Sequence, residues 1–428
     1  MARRAVGTVI AVRRMVATMD GRAGARRHRS SAGLLVRILA VLGVVGATAC
    51  GDLPSSAGTG SEQTWPTETW VCHVPAATTS PWYSGLPARR DLTADRVGAA
   101  VSGRVQRYFH EVSGGLLALD VSVGGEIVLG ADDGPEECIE QVVGRAARST
   151  RLVVVVADAE HVATEPGGLG GVMARGSSSS GPGVGYAYIG AADFAPVWGD
   201  DPPMDLVEHE IGHALGWHHS GSGDDAYDSA LDVMSDSAAP RAIDAARRDA
   251  PWPLAVDLAA SGWLTADAWL LVDPVEGGST STTLGPLGDV GAGRRLIVLP
   301  VPGRADAVLT VERRESAGFD DHLPFGGLAI HRVEFADAAT AVGSSDANDS
   351  VGSNGSSDAG GSGAMADVSV LEVGPGEIDW SRVVRIVPLT GAAPFTALVR
   401  TGESLEAAGW RITSGADGTV TVDLVSAP

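Results

Sequence analysis

The chain has 428 residues, 44% hydrophobic and 20% charged. It is too long for one average domain and apolar enough to exclude wholesale disorder. It carries 31 basic against 53 acidic residues, a net charge of −22, which argues against a nucleic-acid partner because phosphate binding needs a basic surface. The charge is uneven: residues 1–37 hold nine Arg and one acid, Asp20, so the body is more acidic still.

Arg26, Arg27, Arg29 and Arg37 precede an uncharged apolar run from Ile38 to Ala49. That run is too short for a membrane-spanning helix, which needs about 20 residues. A basic region, a short apolar region and small residues at its end predict a secretory signal over residues 1–50. Its end, Ala47-Thr48-Ala49-Cys50-Gly51, resembles a bacterial lipobox, with Ala47 where that motif usually has Leu. Two outcomes stay open: a chain held at a membrane surface by lipidated Cys50, or a simply secreted one. With Cys50 lipidated, Cys72 and Cys138 remain as an even pair in an oxidising compartment. They are expected to form a disulfide, the alternative being two separate buried thiols.

Residues 51–66, rich in Ser, Gly, Thr and Pro, predict a flexible tether. Trp70 to Val74 reads as a first strand. Val97, Ala100, Val101, Val105, Tyr108 and Phe109 predict one helix over 92–112. Leu116 to Val123 reads as a strand, Pro135 to Arg148 as a second helix and Leu152 to Ala157 as a buried strand. Gly176 to Gly185 reads as a flexible loop and Val184 to Ile189 as a further strand. The order predicts a mixed α/β domain over 67–265. Over 266–428 short β segments separated by turns predict a β-sandwich-like domain: Trp269 to Val272, Arg295 to Val301, Ala307 to Arg313, Leu328 to Val333, Val383 to Pro388, Ala397 to Arg400 and Val420 to Val425. A Gly/Ser tract at 344–363 is expected to be a disordered loop within it.

Four of the ten His fall within His209-Glu210-Ile211-Gly212-His213-Ala214-Leu215-Gly216-Trp217-His218-His219. Residues four apart share a helix face, so His209 and His213 can grip one ion. Gly216 lets the chain leave the helix and His219 supplies a third nitrogen. Three neutral imidazoles leave a fourth tetrahedral position for water, the pattern of a catalytic zinc site. Glu210 is the expected general base for that water. Spacing selects His219 over His218, which is expected to be an exposed neighbour.

The pattern H-E-x-x-H-x-x-G-x-x-H, followed by Asp232-Val233-Met234-Ser235, resembles the metzincin clan of zinc endopeptidases with its Met-turn. The resemblance implies an α/β (α+β) catalytic domain with a mixed twisted sheet, one catalytic Zn2+, and Met234 as an apolar floor under the site. It also implies an edge strand before the motif helix that pairs with the substrate backbone. Val184 to Ile189 is the candidate edge strand, by β-augmentation, the equal alternative being an ordinary sheet strand. Leu254 to Trp263 resembles the family's last helix. Several members have a Tyr two residues past the Met; Asp236 stands there in this chain, and Tyr227 is the nearest substitute. Gly318 to Asp321 and Leu323 to His331 resemble a downstream β segment of immune-inhibitor-A-like and gametolysin-like proteases, with His331 as a strand residue. Between Cys50 and the first predicted strand there is little room for an inhibitory propeptide, so none is expected. Acidic, Asp-containing loops could hold calcium, but none has the spacing of an EF-hand to support it.

The sequence therefore predicts an extracytoplasmic zinc endopeptidase acting on protein or peptide substrates. The alternative is a surface-anchored binding module on the same scaffold, with little or very narrow proteolysis.

Overall fold

The computed structural model describes residues 62–83, 87–175, 183–222, 227–275, 277–336, 378–390 and 398–425. The expected signal segment with Cys50, residues 176–182 of the Gly/Ser loop and the 344–363 tract lie outside the described residues. A five-stranded sheet is built from β1 (Gln63–His73), β2 (Leu117–Val128), β3 (Leu152–Ala157), β4 (Gly168–Met173) and β5 (Val184–Ile189), in the order β2-β1-β3-β5-β4. All its pairs are parallel except β4–β5.

The unbroken apolar run of β3 follows from its central place. Leu152, Val154 and Val156 enter one core and Val153, Val155 and Ala157 the other, so both faces of the strand are buried. On the first face lie α1 (Ala94–Ala100) and α2 (Gln106–Val112), through Val97, Tyr108 and Phe109. On the second lies α3 (Pro135–Arg145), through Cys138, Ile139 and Val142. Cys72 of β1 and Cys138 of α3 are joined by a disulfide beneath that second face.

Several boundaries differ from the sequence reading. β1 starts at Gln63, so the last four residues of the expected tether belong to the sheet. The helix expected over 92–112 is wound as a π-helix at Val101–Val105, between α1 and α2. α3 ends at Arg145, before Arg148. Val184–Ile189 is an interior strand, paired with β3 on one side and β4 on the other. The edge beside it is β4, whose Gly-rich run carries no apolar alternation that would mark a strand.

The motif helix is α4 (Asp205–Ala214), followed by α5 (Ala239–Ile243) and α6 (Ala255–Ala260). α6 covers only the middle of the stretch Leu254 to Trp263. Beyond it come β6 (Trp269–Leu271), β7 (Ser279–Thr283), β8 (Leu296–Pro300), β9 (Ala307–Arg314) and β10 (Gly327–Phe335). The last four strands are β11 (Val383–Pro388), β12 (Ser404–Ala407), β13 (Trp410–Ser414) and β14 (Thr419–Leu424). They form two sheets, β11-β10-β9-β8-β6 and β12-β13-β14-β7. Ile297, Leu309 and Ile330 of the first pack with Trp410, Ile412 and Val422 of the second in one core. The expected strand at Ala397 to Arg400 is, in its described part, a single bridge between Val399 and Leu328. The short strands β7, β12 and β13 were not foreseen: Ser, Thr and Glu leave little apolar pattern in β7 and β12, and the alternation of Trp410 and Ile412 in β13 was passed over.

The first of these two sheets is covered on its other face as well. Leu296, Val298, Val333 and Ile386 pack against Leu254, Val256 and Leu258 around α6. The α/β part and the β-rich part thus share a core, and the described residues form one packed unit. Among the described residues no helix is long and apolar enough to cross a membrane.

Candidate metal centre

Val207, Ile211 and Ala214 of α4 bury in the first core, while His209 and His213 lie a helical turn apart on another face. The helix ends because Gly216 adopts φ +88°, a left-handed conformation that glycine reaches without strain. Trp217 N–H then donates to Gly212 O at 2.9 Å and Gly216 N–H to His213 O at 3.0 Å, a Schellman ending. This reversal brings His219 back over the helix.

The three ring nitrogens converge. His219 Nε2 lies 2.9 Å from His213 Nε2 and 3.3 Å from His209 Nε2. Among the described residues this trio is the one His/Cys/Asp/Glu group close enough to hold a metal ion. Zn–N arms of about 2.0–2.1 Å at tetrahedral angles put nitrogens roughly 3.3 Å apart, close to these spacings. The tautomers fit too. His209 Nδ1 donates to Val233 O at 2.7 Å and His213 Nδ1 to Trp217 O at 3.1 Å. A carbonyl only accepts, so in each neutral ring the proton sits on Nδ1 and Nε2 presents a lone pair. The Nε2 lone pairs of His209 and His213 both face His219 Nε2, so a cation at that point would meet at least two ready donors. Burial holds His209 down at about 4 and His213 at about 3, so both are neutral at pH 7, the form a metal ligand needs. His218 is exposed and stands outside the trio.

Glu210 is buried, and desolvation pushes its carboxyl up to about 8. The helix lies tightly on the edge strand at this point. A Cβ on Gly168 would stand 2.5 Å from Glu210 Oε1, and one on Gly170 would stand 2.2 Å from Glu210 O. The glycines of β4 are therefore the room in which the Glu210 turn of the helix sits. Sequence reasoning missed them, since a Gly-rich run reads as a loop.

Met234 is fully buried in the same core as α4. A Cβ on Gly212 would lie 2.3 Å from its Sδ, so the missing side chain is what lets the methionine sit against the helix. The turn is held by Ser235 N–H to Asp232 O at 3.0 Å, and Asp232 Oδ2 accepts from Ser220 Oγ at 2.6 Å. Tyr227 Oη lies 3.2 Å from His219 Nε2. Burial, and secondarily the charge of Glu210, raise its pKa, which keeps the phenol protonated. His331 is a fully buried strand residue of β10, away from the trio; burial and Arg314 hold it neutral at about 3.

The chain matches no protein-family model and no curated protein.

Proposed function

We propose that the chain is a zinc-dependent endopeptidase of the metzincin type, exported from the cell, acting on protein or peptide substrates. One observation carries the reading: three imidazole nitrogens meet at one point, and the residue after the first of them is a buried carboxylate. The antiparallel edge strand before the motif helix and the buried methionine turn beneath it support the same reading. The buried Cys72–Cys138 disulfide suits an oxidising compartment and so supports export; surface anchoring through Cys50 remains part of the proposal.

Zinc in this site would polarise the peptide carbonyl and lower the pKa of water towards about 7. Glu210 acts as general base and then general acid. It accepts the proton of the attacking water and passes it to the departing amine. A cation held by the neighbouring imidazoles draws its carboxyl back down from the value burial alone imposes. The Tyr227 hydroxyl stands at the rim, where it can donate to the oxygen that gains charge during attack. β4, the last strand of its sheet among the described residues, offers its outer backbone edge to an extended peptide, in place of Val184–Ile189.

Two results test this. The purified protein loaded with Zn2+ should cleave casein, lose that activity to 1,10-phenanthroline and regain it with added Zn2+. A chain that binds one zinc and cuts nothing in a proteome-wide substrate screen would favour the binding-module alternative. Gly168→Ala should lower kcat by about 10²-fold with zinc affinity within a few-fold of wild type. The added Cβ meets both Glu210 Oε1 and, at 2.8 Å, the backbone oxygen of Tyr188, so the carboxylate must move. An unchanged kcat would show that the strand does not set its position.

A further inference from the structure

We propose that the β-rich C-terminal half is a structural part of the metal centre, with Arg314 as the positioning residue through which it acts. This rests on the metal site described above and on no particular substrate.

The two loops that complete the site are fastened to C-terminal strands. Ser220, next to the third ligand, forms a bridge with Ile386 of β11, and Gly221 N–H donates to Ile386 O at 3.2 Å. The loop leading into Met234 is held at two carbonyls. Arg314 of β9 donates to Leu231 O through Nη2, and His322 Nε2 donates to Ala230 O at 2.9 Å. Leu231 itself packs with Leu323, Ala329 and Leu398. This loop meets the first ligand directly and the third through its neighbour: Val233 O accepts a hydrogen bond from His209 Nδ1–H, and Asp232 Oδ2 accepts one from the Ser220 hydroxyl. A shift of Leu231 therefore reaches both the first and the third histidine.

Arg314 is completely buried. Its Nε donates to Glu312 Oε1 at 2.8 Å, its Nη1 to Asp320 Oδ2 at 2.9 Å, and its Nη2 also to Trp252 O at 3.3 Å. The two carboxylates in turn hold the backbone ahead of and within α6: Glu312 Oε2 accepts from Ala255 N at 2.6 Å and Asp320 Oδ1 from Trp252 N at 3.2 Å. Burying three ions in this way costs more desolvation than an apolar trio of the same volume, so stability alone does not account for it. What the ions supply is direction. A planar guanidinium with fixed donors points at one carbonyl of the Met234 loop and one carbonyl ahead of α6, and sets their separation.

The test uses the full chain loaded with Zn2+, and with Co2+ for its visible absorption. Arg314→Lys keeps the charge and loses the fork. It should speed metal loss to excess chelator at least tenfold and alter the Co2+ ligand-field bands. His322→Leu, which removes the donor to Ala230 O and leaves Arg314 intact, should speed it at least threefold and serves if Arg314→Lys does not fold. Ile412→Ala, in the core between the two C-terminal sheets, is the control: it should lower Tm while leaving metal loss and the Co2+ spectrum unchanged. Metal loss within twofold of wild type in folded Arg314→Lys or His322→Leu would overturn the proposal. So would equal acceleration by Ile412→Ala, which would reduce the effect to general instability. A wild-type chain that takes up no metal would overturn the metal centre itself, and this role with it.

Discussion

Glu210→Gln should retain one zinc per chain and lose about 10²- to 10⁴-fold in kcat, the usual contribution of a positioned general base. The substitution is nearly isosteric, which matters because the side chain is only 4% exposed and packed against the glycines of β4. It leaves His209, His213 and His219 untouched, along with the carbonyl contacts that fix the rings of the first two. Parallel measurement of zinc content by atomic absorption and of casein cleavage separates loss of the base from loss of the site. Zinc retained with turnover also retained would remove Glu210 from the mechanism. Loss of zinc with turnover would instead make it part of the architecture that holds the ligands.

Replacing both Cys72 and Cys138 by Ala should destabilise the protein by about 4 kcal/mol, the loop-closure value for a cross-link spanning 66 residues. Both half-cystines are fully buried between β1 and α3, so lost packing adds to this figure. With the steep denaturant dependence of a protein this size, the urea midpoint should fall by roughly 1 M. The site lies on the opposite face of the sheet, in the other core, so folded double variant should keep its zinc. A midpoint that does not move would mean that the reduced chain is already restrained in its unfolded state.

The ligand set was legible because its information is local. Helical period places His209 and His213 on one face, and a glycine three residues after His213 ends the helix where His219 must return. The same holds for β3, whose short, Val-rich apolar run reads as a strand buried on both faces. Cysteine count suggested the Cys72–Cys138 pair only with Cys50 set aside, and the packing of β1 against α3 is what joins them.

Strand order was not legible, because pairing joins residues far apart in the chain and leaves no periodic mark. Val184–Ile189 looks like the best strand near the motif, yet β4, half of it glycine, takes the edge. Its glycines make sense only once the helix is laid across them. Arg314 shows the same limit: in the sequence it is one more charge just past the expected strand Ala307 to Arg313, and only the packed molecule reveals that its guanidinium reaches the loop ahead of Met234.

The sequence by itself thus determined which atoms could bind a metal, since spacing along a helix is a property of the local backbone. The tertiary structure alone decided which strand borders the site and which distant residues hold its loops, because those depend on contacts that form only when the whole chain is packed.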